Sequence, residues 1–282
     1  MVAATTRREP TFLYVGGSKC GSSWLFEILR EHPDVFVPVA KDIKYYDVHK
    51  DRPVDWYLEF FAGAGSAKAV GELTHDYFLD PAIAARIHGD FPNVQIIFSL
   101  REPADRTFSR WLYARVSDLP PEVSFGDYAR RPAILRENDY LANLKPYFDR
   151  FPRHRIHVIY YDEFVAEPAM VVRALYRFIG VDEFFVPPSL HRRVLAARQE
   201  RLPGLGRFAY AFAQVLRGMG GANVVGAFKR DSVFDRLLYR EMRQRPPMPE
   251  SDIAWIRERF RGDYEALGEL IGRPVPTAWL SS

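Results

Sequence analysis

The stretch whose reading decides the fold is FLYVGGSKCGSSWLFEIL, residues 12–29. An apolar run, Phe12–Val15, enters a glycine-rich turn, and an apolar-periodic segment, Trp24–Arg30, leaves it and stops before Pro33. Where a parallel strand gives way to a helix, backbone N–H groups point outward and the helix dipole is positive, so an anion is held there. Gly16, Gly17 and Gly21 let the backbone approach that anion closely. The N–H groups of Gly21, Ser22 and Ser23, with the two hydroxyls, can ring a phosphate. A tight turn without a ligand would also favour glycine; the lysine and paired serines tip the reading toward an anion site.

The lysine decides which anion. In the nucleoside-triphosphate loop, Gly-x-x-x-x-Gly-Lys-Ser/Thr, the lysine follows the second glycine, and a Ser/Thr and a strand-end Asp hold Mg²⁺. Gly16 and Gly21 keep that spacing, yet Ser22 occupies the lysine position and Lys19 lies inside the loop. The best partner strand, Val94–Leu100 (VQIIFSL), ends in Leu100-Arg101 and not in a carboxylate. A cation stands where the metal-holding anion would be, which argues against a nucleotide kinase or NTPase. A non-catalytic nucleotide-binding protein is the third reading.

Working outward, further β-type runs lie at Val35–Val39 and Ile156–Tyr161, with a weaker one at Ala69–Glu72. Helical patterns separate them. Pro103–Val116 opens on a proline in its first turn, where the missing N–H is harmless. Pro168–Ile179 carries Val171, Ala174, Leu175 and Phe178 on one face and stops at Gly180. VQIIFSL is apolar without alternation, as expected of a strand covered on both faces. The alternation predicts a three-layer α/β/α, P-loop-like domain with a central parallel sheet over residues 10–182.

Residues 183–282 read as a loop and a helical C-terminal elaboration of the same single domain. The segment 183–207 is rich in Pro, Gly and Arg, 208–228 is weakly helical and glycine-broken, and a last helix near Ser251–Ile271 bears an apolar stripe that docks on the sheet.

With 282 residues, 48% hydrophobic and 27% charged, the chain has the composition of a soluble enzyme. The N-terminal MVAATTRREP has no apolar segment of the secretory type, and no stretch of about twenty uncharged apolar residues occurs. A single cysteine, Cys20, excludes an internal disulfide framework and a cysteine-based metal site, so a cytoplasmic protein is expected. The net charge is +3, with seven lysines and thirty-two arginines. Arginine's fork suits phosphate and sulfate, though an arginine-rich genome gives the same bias. No basic run interleaved with aromatics points to a nucleic-acid partner.

Several segments together resemble the sulfotransferases that use 3′-phosphoadenosine 5′-phosphosulfate (PAPS), most closely the heparan-sulfate and bacterial branch. GGSKCGSSWL resembles their 5′-phosphosulfate loop, and SLREPADRTFSRW their 3′-phosphate motif. HPDVFVPVAKDIKYYD, GELTHDYF and IYYDEFVAEPAMVVRALYRFIGV match further segments in the family's order, over roughly residues 12–182. The resemblance implies sulfuryl transfer from PAPS to a hydroxyl or amine of a carbohydrate, lipid or small molecule, without a metal. It implies Lys19 at the leaving oxygen, Gly21, Ser22 and Ser23 around the 5′-phosphosulfate, and Arg101 and Ser109 on the 3′-phosphate. Arg198 lies where related sequences carry another 3′-phosphate arginine, with Arg193 and Arg201 as alternatives; Trp24 either lies near the adenine or packs.

The acceptor must lose a proton, so a general base is required. The branch places a glutamate after the lysine of a Lys-Glu pair; here the pair is Lys41-Asp42, which makes Asp42 the first candidate with a shorter reach. His75 replaces the usual proline of GELTHDYF and titrates in a suitable range; Glu72 is third. Lys41 steers the sulfuryl oxygens or an acidic acceptor. Residues 118–140 and 183–230 are the expected acceptor walls, and FAYAFAQVLRGMGG, residues 208–221, suggests an apolar lid and peripheral contact with lipid.

Overall fold

In the computed structural model, the described residues are 8–117, 119–191, 198–200, 239–241 and 246–280. Five strands form one sheet: β1 (Phe12–Gly16), β2 (Val35–Phe36), β3 (Ala69–Leu73), β4 (Gln95–Leu100) and β5 (Ile156–Tyr160). Their spatial order is β2-β3-β1-β4-β5 and every pairing is parallel. The run read as Val35–Val39 shortens to two residues at the sheet edge, because Pro38 cannot donate to a ladder. The short Ala69–Leu73 run, the weakest strand signal, lies beside β1, with all five residues buried.

Alternate residues of β1 enter opposite layers, which is the physical content of a three-layer fold. Phe12 and Tyr14 join the core formed with α1 (Ser22–Glu31) and α9 (Pro168–Ile179), through Leu25, Ile28, Val172 and Leu175. Leu13 and Val15 join the opposite core, which includes Ile83, Ile87, Phe108 and Leu144. These come from α3 (Pro81–Asp90), α4 (Pro103–Ser117) and α7 (Tyr140–Phe148).

Short helices α2 (Val54–Leu58), α5 (Phe125–Ala129), α6 (Pro132–Asn138) and α8 (Tyr161–Ala166) fill the connections. The last helical pattern is two helices, α10 (Glu250–Arg261) and α11 (Tyr264–Ile271), parted at Gly262 and Asp263. α10 packs on α4 and α5 and α11 on α7, adding Ile256, Phe260, Leu267 and Ile271 to the second core. Beyond α9, β6 (Arg198–Glu200) pairs antiparallel with β7 (Tyr239–Glu241), and β6 lies against α4. The proposed lid, 208–221, lies outside the described residues.

The strand order reverses at β1: the chain leaves it toward β2 and β3 and returns on its other side as β4. In open α/β sheets, ligands sit at the carboxyl ends of strands at such a switch point. The loops after β1, β3 and β4 converge there.

Candidate active site

The loop after β1 is held from below. The Tyr14 hydroxyl donates to the Gly17 carbonyl at 2.8 Å and pairs with Ser99 Oγ at 2.6 Å, while Gly17 N–H donates to the Ser99 carbonyl at 2.9 Å. A Cβ at Gly16 would collide with the Phe78 ring. Gly21 is the N-cap of α1 with φ +94°, a conformation that favours glycine. No side chain caps this helix, and its first turn carries no acidic residue, so its N-terminal donors and positive dipole end face the loop.

Lys19 stands in this loop with φ 62°. Burial, then the charges of Arg110, Arg101 and Lys41, pull its ammonium down to about 7 from 10.5. Its Nζ lies 4.4 Å from the centroid of the Tyr113 ring. The lysine that the loop lacks at position 22 arrives from elsewhere: Lys41 Nζ donates to Ser22 Oγ at 2.9 Å and Ser23 Oγ at 3.3 Å. Burial lowers the Lys41 ammonium too, against the pull of Asp42 and Asp76.

Arg101 joins this loop to β4. Its Nη1 donates to the Lys19 carbonyl at 3.0 Å, its Nε to Asp105 Oδ2 at 2.5 Å, and Nη2 pairs with the same carboxylate. The guanidinium carbon lies 4.2 Å from the centroid of the Tyr161 ring. Ser109 is half-buried on α4, one turn beyond Asp105. Arg198 begins β6, which lies against α4; its side chain is outside the described residues.

Asp42 and His75, thirty-three positions apart, meet: His75 Nδ1 lies 2.6 Å from Asp42 Oδ1. The other ring nitrogen is 3.5 Å from Asp76 Oδ2. Asp42 N–H donates to the Leu73 carbonyl at 3.0 Å, and Lys44 N–H to Thr74 Oγ1 at 3.4 Å, which strap residues 42–44 to the end of β3. Burial pushes the Asp42 carboxyl up, but His75, Lys41 and Lys44 outweigh it and hold the group well below the usual carboxylate range. Among the described residues, the non-glycine positions with positive φ are Lys19, Asp42 and Lys44. Strain of this kind, of order 1–3 kcal/mol each, persists where surrounding structure over-determines it, typically at functional sites.

Two sequence-based expectations need correction. Trp24 is a core residue, 3% exposed, with its Nε1 donating to the Ser189 carbonyl and its ring 4.1 Å from that of Phe164. An indole buried this way offers no face to adenine. Glu72 is 1% exposed and accepts from Tyr57, Tyr77 and Thr74 at 3.1, 2.9 and 2.8 Å, so it leaves the set of candidate bases.

Sequence reasoning missed Arg106. It is fully buried on α4 and donates to Asn138, Glu137 and Ser18. Nothing local in the sequence marks it, because its partners Glu137 and Asn138 lie about thirty residues further along the chain.

A parallel α/β sheet with an uncapped loop at its switch point, a lysine inside that loop and an arginine at the end of the next strand define an α/β protein with a cationic, anion-binding loop. The sulfotransferase domain model matches residues 9–193, and the chain belongs to that family. It is 28% identical over 184 residues to heparan sulfate glucosamine 3-O-sulfotransferase 6 of Mus musculus, covering 62% of this chain and 53% of that protein. It is 28% identical over 124 residues to the membrane-associated sulfotransferase kil1 of Dictyostelium discoideum, covering 41% and 26%. The chain thus spans about half the length of the first and about a quarter of the second. Among solved structures, a sulfotransferase from Alicyclobacillus acidocaldarius has the same fold, with TM-score 0.71 over 97% of this chain and 100% of that one at 24% identity.

Proposed function

We propose that this protein transfers a sulfuryl group from PAPS to a hydroxyl or amine of a glycan, lipid or small-molecule acceptor by in-line displacement. One observation carries the reading. Arg101, at the end of β4, donates to the Lys19 carbonyl while keeping N–H groups to spare, so a single guanidinium links a 3′-phosphate subsite to the loop lysine. PAPS would supply the sulfuryl group on a phosphate oxygen that gains charge as the S–O bond breaks.

The protein's part is positioning and charge stabilisation. The Gly21–Ser23 turn and the α1 N-terminus hold the 5′-phosphate, and Lys19 meets the leaving oxygen. Lys41, already on the Ser22 and Ser23 hydroxyls, faces the sulfuryl oxygens. Arg101 and Ser109 take the 3′-phosphate. The acceptor proton passes to the Asp42–His75 pair. Asp42 by itself is held too acidic to be an effective base near neutrality, so the imidazole 2.6 Å from its carboxylate is the group that takes the proton.

The chain acts as one sulfotransferase domain with the chemistry in residues 10–182; of the acceptor walls expected at 118–140 and 183–230, most of the second lies outside the described residues. No described helix is long and apolar enough to cross a membrane.

Thermal shift with adenosine 3′,5′-bisphosphate, ADP and Mg-ATP tests the proposal. The bisphosphate is expected to raise Tm strongly, and the other two weakly, through mass action on the folded state. Equal or greater stabilisation by Mg-ATP would sink the proposal and favour the NTPase reading.

A further inference from the structure

Beneath the loop, on the side away from solvent, lies a charged cluster that the proposed chemistry leaves unused. The Arg106 guanidinium is fully buried. Its Nε donates to Asn138 Oδ1 at 2.7 Å and its Nη1 to Glu137 Oε2 at 2.7 Å. The same Nη1 reaches Ser18 Oγ at 3.4 Å, on the residue before Lys19. Asn138 is itself fixed, its Nδ2 donating to Thr107 Oγ1 at 2.8 Å and to the Ile134 carbonyl at 3.1 Å. Arg110 Nε lies 3.9 Å from the same Glu137 oxygen.

A buried guanidinium is costly to desolvate, and a hydrophobic residue of like volume often serves stability as well. Here three of its directions are used: two anchor it to α6, and one points up into the loop. Arg106 Nη2 finds no partner among the described residues, so this group is not one tuned for stability alone.

We infer that Arg106 is a positioning residue for Lys19: clamped by Glu137 and Asn138, it holds Ser18 from below and so keeps the next residue in its left-handed turn, with its ammonium at the reacting centre. The catalytic consequence rests on the sulfotransferase reading; the clamp itself does not. Lys19 cannot relax alone, because its carbonyl is tied to Arg101 on one side while Ser18 is tied to Arg106 on the other. If Ser18 is released, the lysine is freed to turn toward solvent.

Lys19 therefore reports the clamp. The charged groups acting on its ammonium are Arg110 from α4, Arg101 from the β4–α4 turn, Lys41 from the segment after β2, and the adjoining Cys20, all secondary to burial. The experiment labels the full-length protein with trinitrobenzenesulfonate over roughly pH 5 to 10. Labelling at Lys19 is followed by peptide mass spectrometry in the wild type, Ser18→Ala and Arg106→Lys. Neither substitution removes a charge, so a change in the labelling midpoint reads position and not the loss of a neighbouring cation. In the wild type the midpoint is expected at about 7. Both variants should move it upward by about one unit, seen as roughly tenfold slower labelling at pH 6, while a distant lysine such as Lys145 is unchanged.

An unmoved midpoint in Ser18→Ala overturns the inference. So does a shift in Ser18→Ala with none in a folded Arg106→Lys, which would credit the serine alone. Should Arg106→Lys not fold, the Ser18→Ala arm decides. Adenosine 3′,5′-bisphosphate failing to bind the unmodified protein would remove the sulfotransferase reading and leave the labelling result standing.

Discussion

Lys19 is half-buried and Glu72 fully buried, and desolvation brings both to about 7, the lysine from above and the carboxyl from below. Their surroundings differ in kind. Glu72 sits in a cage of Tyr57, Tyr77 and Thr74 hydroxyls that satisfies its oxygens and closes it off from the cleft. Lys19 sits on a left-handed backbone with the like charges of Arg110, Arg101 and Lys41 around it. A displaced pKa does not therefore mark chemistry by itself. The distinguishing feature is unbalanced charge: the loop gathers cations awaiting an anion, whereas the cage is internally complete. On the proposed function, the former serves the reaction and the latter the fold.

The sharpest way to break the comparison is Lys19→Met. Transfer of label from PAPS to acceptors in host extract should fall by about 10²–10³-fold, the loss typical of one well-placed donor to a developing oxyanion. The ligand-free protein should become more stable at the same time. The folded value of about 7 lies below the unfolded 10.5, so the wild type binds fewer protons folded than unfolded between those limits, and its stability rises with pH there. The gain from Met is accordingly full below pH 7 and fades as pH rises through the window. Urea titrations at several pH values read it; a loss of stability at pH 6 would show that the lysine is a structural cation.

On the base side, Asp42→Asn and His75→Gln should each lower the same transfer rate by about 10²-fold. Their double variant should be little worse than either, because paired groups that act as a unit are not additive. Independent, multiplying losses would separate the two residues and leave one of them outside the proton path. Arg101→Lys keeps the charge but loses the fork. Its affinity for adenosine 3′,5′-bisphosphate should fall by about tenfold to a hundredfold in calorimetry, with a smaller loss for 5′-AMP. Equal losses for the two ligands would mean that Arg101 serves only the loop.

The halves of the site were not equally legible. The loop and the β4–α4 motif are local: glycine spacing, a lysine and an arginine after an apolar strand are all read within a dozen residues. The parallel sheet was equally accessible, since VQIIFSL lacks alternation and lies buried on both faces as β4. What escaped are contacts made only by tertiary structure. Lys41 reaching Ser22, and His75 meeting Asp42, depend on residues 40–44 folding back along β3, which no period in the sequence encodes. Trp24 was ambiguous because a helix-face tryptophan beside a glycine loop has the same pattern whether it packs or stacks. Arg106 was hidden by its neighbours: a single arginine in a basic helix looks solvated until α6 brings Glu137 and Asn138 over it.

The smallest effect expected comes from the cage. Glu72 has a folded value of about 7 against 4.5 when unfolded, so the folded chain binds more protons across that window. Its contribution to stability then falls as pH rises from about 4.5 to 7, the reverse of the lysine's slope, by about 3 kcal/mol for a shift of this size. Burial also holds the His157 imidazole down to about 4, so on the acid limb its contribution rises with pH while that of Glu72 falls, and Lys19 acts on the alkaline limb above pH 7. Glu72→Gln should make the acid limb rise with pH more steeply than in the wild type, leave the alkaline limb intact, and change bisphosphate affinity by less than about twofold. Denaturation midpoints from pH 4.5 to 10.5 resolve the two limbs. An acid limb with the wild-type slope in Glu72→Gln would show that Glu72 does not titrate there, and a large fall in affinity would join the cage to the site after all.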